Sequence, residues 1–311
     1  MTARHFSARD YAAALGVIVI WGLNFVAMKF ALHDFTPFQL GAARYVVAVL
    51  PLVFFIRAPA LHWKWVLLYG LFQGVGQFGF LFLALQVGMT AALASVLMQT
   101  HVFFTALFSF FLLHERLSRP LVGGLTFAAL GLACFGMNFV VGTAGLTTVS
   151  GLLLNLCAAA MWAASNIVAR KAQQASPGYE PLQFLVWSSL VPVLPFLLLS
   201  WLADPAAATP ALSWTSSAKW LSVPWTSWLA VAYLGWIATI WAYAMWTGLL
   251  KRHPANRVAP FSLGVPVVGL SAGMLALGET IAPWQWAGIA LVALALVCVM
   301  FGDRILTKIG R

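Results

Sequence analysis

The chain has 311 residues, of which 62% are hydrophobic and only 8% charged, with a mean hydropathy of +0.93 and a formal net charge of +10. A soluble domain carries roughly 25% charged residues, so this chain cannot cover itself with water-binding side chains and belongs in a lipid bilayer. The positive charge does not point to nucleic acid, because the basic residues sit in short clusters between apolar runs and form no stripe or basic domain.

A membrane span needs about 20 apolar residues. On that measure the sequence predicts helices at 10–32, 37–56, 64–86, 89–113, 119–139, 149–171, 181–202, 226–250, 255–277 and 283–302, an all-α integral membrane fold of ten spans. The first run, Tyr11 to Leu32, is too long for the apolar core of a signal peptide and is read as an uncleaved helix. It contains Trp21-Gly22-Leu23-Asn24-Phe25-Val26-Ala27-Met28-Lys29. The third run places Gln73 and Gln77 on one face, beside Gly70, Gly74, Gly76 and Gly79, which suit close helix contact. The fourth run carries Gln99 and His101 and ends on His114-Glu115. The sixth repeats the motif of the first as Trp162-Ala163-Ala164-Ser165-Asn166-Ile167-Val168-Ala169-Arg170-Lys171. Pro260, Gly264 and Pro266 interrupt the ninth run, which ends on Gly278-Glu279. Pro37, Gly88, Gly142, Pro177-Gly178 and Pro283 punctuate the connections.

The repeated motif divides the chain into two homologous halves, 10–139 and 149–302. Asn24 and Asn166 are 142 residues apart and Glu115 and Glu279 are 164 apart, and the loop around 203–225 accounts for the difference. Lys and Arg set the orientation. One set of ends and loops holds 14 of them and the opposite set holds only Lys219, which places both termini in the cytoplasm and loop 203–225 outside. Two homologous halves of five spans each must then be inverted relative to one another. Inverted repeats characterise secondary transporters, whose substrate binds near midplane between the halves. A scaffold or a channel built by duplication is the competing class.

The seven acidic residues all lie at helix ends or in loops. No mid-span carboxylate pair, His–Asp set or metal cluster supports a membrane enzyme, and no Walker-type motif supports ATP-driven transport. No cofactor or metal is implied. Cys134, Cys157 and Cys298 lack metal or disulfide spacing and are read as apolar packers. An Asn within an apolar run is costly unless it finds a partner, so Asn24, Gln73, Gln77, Gln99, Asn155 and Asn166 either bond helix to helix or line a cavity. The duplicated pair favours a cavity for Asn24 and Asn166, with Gln77 and Gln99 as further donors and Trp21 and Trp162 as walls. Two readings stay open for Arg44: snorkelling or pairing with Asp34, or attracting a substrate carboxylate. Lys29, nearer its helix end, is read as snorkelling. His101 is either a hydrogen-bonded core histidine or a proton site. Packing toward lipid is the default reading for each deep Trp (Trp21, Trp162, Trp187, Trp236 and Trp241), with a cavity wall as the alternative for Trp21 and Trp162, and the Trp residues near predicted interfaces are read as belt residues.

The chain resembles the EamA family of the drug/metabolite transporter superfamily. The resemblance rests on Trp21-Gly22-Leu23-Asn24-Phe25, Ala92 to Gln99, Phe103-Phe104-Thr105, His114-Glu115-Arg116-Leu117, Arg257-Val258-Ala259-Pro260 and Pro266 to Leu270, and spans nearly the whole chain. Within the family it most resembles exporters of cysteine and O-acetylserine. It departs from the usual pattern at His114, where Gly is common, and at His101, where Gln is common. The resemblance implies a ten-helix secondary carrier of the bacterial inner membrane that exports small amino acids or related metabolites, with proton antiport as the expected coupling. A multidrug or other metabolite carrier of the same superfamily is the alternative. Its partners would be a small molecule and the lipid bilayer, not nucleic acid. Glu115 and Glu279 match a recurring family Glu and are read as binding backbone donors where one helix turns into the next, with a gate as the alternative.

Overall fold

In a computed structural model, residues 6–113, 119–142, 147–203, 222–253 and 258–309 are described here. His114, Glu115, Arg257 and most of loop 203–225 lie outside them.

Among the described residues the chain forms helical stretches and no strand. These are α1 (Ala8–Ala31), α2 (Pro37–Val49), α3 (Trp63–Gln86), α4 (Ala91–Leu97, Met98–Thr100 and His101–Leu113), α5 (Arg119–Val141), α6 (Val149–Ala175), α7 (Pro181–Ala203), α8 (Trp225–Ala232, Tyr233–Trp241 and Ala242–Arg252), α9 (Ala259–Leu263 and Gly264–Leu277) and α10 (Pro283–Ile309). Seven of them, α1 and α3 to α8, are long and apolar enough to cross a membrane, and the apolar parts of α9 and α10 are shorter.

The helix starts follow local rules. Ser7 and Asp10 form a capping box on α1, Thr36 and Gln39 form another on α2, and Thr90 and Thr148 accept backbone N–H bonds at the starts of α4 and α6. Pro37 and Pro181 open α2 and α7, where a missing N–H costs nothing. Helix α9 ends on Gly278 in the left-handed region (φ +64°), the usual glycine stop. The second helix is shorter than the predicted 37–56. Its α-helical hydrogen bonds stop at Leu50, because Pro51 brings no N–H and a single 3₁₀ turn, Leu52–Phe54, follows.

Two irregular stretches organise the interior. Gly70–Phe78 in α3 and Tyr233–Trp241 in α8 are π-helical, each nine residues long. Wide turns of this kind concentrate at functional sites. The glycines of α3 allow the close contact read from the sequence: a Cβ at Gly74 would collide with Pro192 of α7, one at Gly76 with Met161 of α6. The largest packed pairs are α5–α10, α1–α9, α3–α6, α4–α9, α4–α6, α2–α7 and α1–α8. Helices α5 and α10 cross where Gly131 and Gly288 face each other; a Cβ on either would stand about 3 Å from the other's carbonyl oxygen.

One end of the bundle is fastened around the turn from α3 to α4. Lys29 donates to the carbonyls of Leu85 (2.6 Å) and Met89 (3.2 Å), and Glu279 accepts from the N–H groups of Ala91 (2.7 Å) and Ala92 (2.8 Å). A cation thus serves the carbonyl end of one helix and an anion the N–H end of the next. Lys29 is engaged inside the protein and does not snorkel. Glu279 binds backbone donors, as read from the sequence, but across the bundle.

Candidate functional site

A cavity of about 330 Å³ lies at the centre of the bundle, where α1, α2, α3, α4, α6, α8 and α9 converge. That volume falls within the range of about 300–1,000 Å³ found for small-molecule sites. Asn24, Asn166, Gln77, Gln99, Trp21, Trp162, Arg44 and His101 all line it. The structure therefore brings together every residue proposed from the sequence for a site, and it turns Trp21 and Trp162 to the cavity against the default expectation of packing toward lipid. Asn155 is not among them; it lies buried in α6, with neither side-chain polar atom bonded.

The two motif copies supply the cavity's asparagines and two of its three indoles, and Gln77, Gln99 and Trp246 come from outside them. Asn24 is buried and its Oδ1 accepts no hydrogen bond, while its Nδ2 makes a weak 3.9 Å contact with Met28 Sδ. Asn166 Nδ2 donates to Thr105 Oγ1 at 3.2 Å. Trp21 Nε1 is spent on the Ala238 carbonyl (3.1 Å), which holds the indole against Tyr243 and Trp246. Trp162 stacks on His101 with 3.8 Å between ring centroids. His101 Nδ1 is buried without a partner. Gln99 Nε2 donates to the Ser262 carbonyl at 3.0 Å, tying α4 to the 3₁₀ start of α9. Gln77 Oε1 accepts from Gln73, which also reaches Ser165 of α6 and Tyr243 of α8.

Arg44 is 1% exposed, the largest side chain buried so fully among the described residues. Its Nη2 and Nε donate to Thr239 Oγ1 (2.9 and 3.2 Å), Nη1 lies 3.9 Å from Met28 Sδ, and the guanidinium sits 3.8 Å over the Phe78 ring. The π-helical register of α8 sets this up: Thr239 donates its own proton to the carbonyl of Leu234, five residues back, and so presents its oxygen lone pairs to Arg44. Among the described residues no carboxylate pairs with Arg44, and none lines the cavity. Asp34, the partner offered by the sequence, instead accepts from Ser227. A buried cation left to neutral partners carries a large desolvation cost.

Sequence reasoning missed Tyr69, Tyr243, Trp246 and Thr239. A tyrosine or threonine inside an apolar run gives the same signal as packing, and none of these four belongs to the repeated motif. Of the other deep tryptophans, Trp236 and Trp241 are about half exposed on the outer surface, as expected for lipid-facing residues, and Trp187 is held by the Ile56 carbonyl at 3.0 Å.

A family model described as the EamA-like transporter family matches residues 9–137 and again 149–301. The chain belongs to that family. It is a multi-pass membrane transporter, not an enzyme. A probable amino-acid metabolite efflux pump of Salmonella typhimurium is 39% identical over 303 residues, covering 96% of this chain and 97% of its own. A protein of the same description from Escherichia coli is 35% identical over 298 residues, with the same coverage. A solved crystal structure superposes with a TM-score of 0.61 at 19% identity, covering 97% of this chain and 99% of its own, a likeness of fold.

Proposed function

We propose that this EamA-family protein is a secondary carrier that exports small amino acids or related metabolites by alternating access, with the central cavity as its substrate site. The observation that carries this reading is Arg44. Its guanidinium faces the cavity, lacks an anionic partner among the described residues, and suits a substrate carboxylate. The amide oxygen of Asn24 is free to accept from the substrate ammonium, and the cavity amides can serve either end of a zwitterion. Relatives named as probable amino-acid metabolite efflux pumps support the same substrate class. The aromatic walls would also suit a flat drug, but an Arg-lined cavity with no carboxylate disfavours a cationic one.

Ten spans form two inverted repeats, 10–139 and 149–302, with both termini in the cytoplasm of a bacterial inner membrane. Several features support the repeat. The family model matches twice. The shift of 164 residues that carries Glu115 onto Glu279 also carries Gly70–Phe78 to within one residue of Tyr233–Trp241. Exchanging helices five places apart maps α1–α9 onto α6–α4 and α1–α8 onto α6–α3, and leaves α2–α7, α4–α9 and α5–α10 unchanged. Proton antiport is the proposed coupling, with His101 as the proton site. A protonated ring there would be a cation stacked on an indole, a favourable pairing.

The test is efflux from proteoliposomes loaded with labelled cysteine, O-acetylserine and other small amino acids, with and without a pH gradient. Efflux of at least one of them, accelerated by the gradient in the parent and not in His101→Gln, is expected. Equal acceleration in both would refute the proton site, and no flux of any amino acid would refute the substrate class.

A further inference from the structure

A second cavity, about 610 Å³, opens between the first turns of α7 and the last turns of α8. Tyr179, Leu182 and Phe184 wall one side, and Ala244 and Thr247 the other. It shares two lining residues with the central cavity, Tyr69 and Tyr243. The Tyr69 ring packs on Phe184 (4.8 Å between centroids), and the Tyr243 hydroxyl lies 3.4 Å from Gln73 Nε2. Tyr69 and Tyr243 therefore border both chambers.

The opposite end of the bundle is built differently. Under the five-helix exchange, the counterpart of the α7–α8 cleft is the contact between the start of α2 and the end of α3. There the helices pack together, and Leu40, Phe82 and Leu85 are at most 1% exposed. The Lys29 and Glu279 bonds fasten the same end. Packing closes one side of the molecule, and a cavity occupies the matching place on the other. In an inverted-repeat carrier this asymmetry distinguishes the two access states, because each half adopts in one state the arrangement of its mate in the other.

We propose that the chamber between α7 and α8 is the cytoplasmic loading site for the substrate, and that Tyr69 and Tyr243 are the gate through which it enters the central cavity. The assignment rests on the inverted-repeat topology proposed above. In the outward-facing state the start of α7 closes on the end of α8 and α2 parts from α3. The phenol hydroxyls offer a carboxylate donors on its way to Arg44.

Thiol accessibility tests this. Cys134, Cys157 and Cys298 are first replaced by Ser, and a membrane-impermeant maleimide is applied to inside-out vesicles and to intact cells. Ala58→Cys, in the exposed turn after α2, reports orientation independently. Thr247→Cys and Tyr179→Cys are expected to react in inside-out vesicles and not in cells, while Phe82→Cys resists from outside. Val102→Cys, in the central cavity, should react several-fold faster from the cytoplasmic side once Tyr243→Ala is added. If Ala58→Cys reacts from the cytoplasm but both chamber cysteines stay inert, the loading site is wrong and the topology stands. If Ala58→Cys reacts only in cells, the topology fails and takes the assignment with it. An unchanged Val102→Cys rate in the Tyr243→Ala background overturns the gate.

Discussion

A guanidinium held by one threonine hydroxyl, a thioether and an aromatic face keeps its charge poorly compensated. Replacing it should therefore affect substrates by their charge. Arg44→Gln is expected to weaken binding of a carboxylate substrate by about 10- to 100-fold, the equivalent of one charge-assisted hydrogen bond of roughly 1.5–3 kcal/mol. The corresponding amide should bind the variant and the parent alike. Titration in detergent with an amino acid and its amide reads both. The asparagines should differ from each other. Asn24 keeps an unsatisfied oxygen, whereas Asn166 is already bonded to Thr105. Asn24→Ala should thus cost affinity, again about 10- to 100-fold, with melting temperature little changed. Asn166→Ala should also loosen the α4–α6 contact and lower the melting temperature. These residues were legible because duplication marked the asparagines, and an amide or a cation is expensive in an apolar run. Tyr69, Tyr243 and Thr239 were not legible, since nothing in their spacing separates a cavity wall from a packed core.

At the scale of elements, the glycines divide by what surrounds them. A Cβ at Gly131 would press on Gly288 and Val292, while Gly123 and Gly136 face open space. Gly131→Leu is expected to lower stability by about 1–3 kcal/mol through overpacking between α5 and α10. Gly123→Ala should stay within about 0.5 kcal/mol of the parent. Melting in detergent distinguishes them. The helical stretches and the close contacts of the α3 glycines are legible from apolar run length and small-residue spacing, whereas the Ser and Thr caps came only with the structure. The π-helical stretches could not. One extra residue per turn changes which backbone groups pair without altering composition, so Gly70–Phe78 and Tyr233–Trp241 look in sequence like ordinary helix. The end of α2 at Pro51 has a sequence signal in the proline itself, but the apolar run continues through Ile56 and masks it.

For the whole molecule, the proposed topology rests on charge: of the basic residues at ends and in loops, 14 fall in one set and one in the opposite set. A reporter active only outside the cytoplasm should give signal when fused within loop 203–225 and none at the C-terminus; the reverse pattern would contradict the inverted halves. Which end of the bundle is closed was not readable at all, because both states use the same helices and the same apolar faces. In the proposed carrier one central site binds the substrate and is exposed to each side in turn. Counterflow measures that most directly. Proteoliposomes are loaded with excess unlabelled amino acid, and uptake of trace labelled amino acid is followed without any ion gradient. Saturable uptake that overshoots and is lost in Arg44→Gln is expected. Uptake that rises linearly with concentration and ignores the internal amino acid would contradict it, and would make the protein a channel.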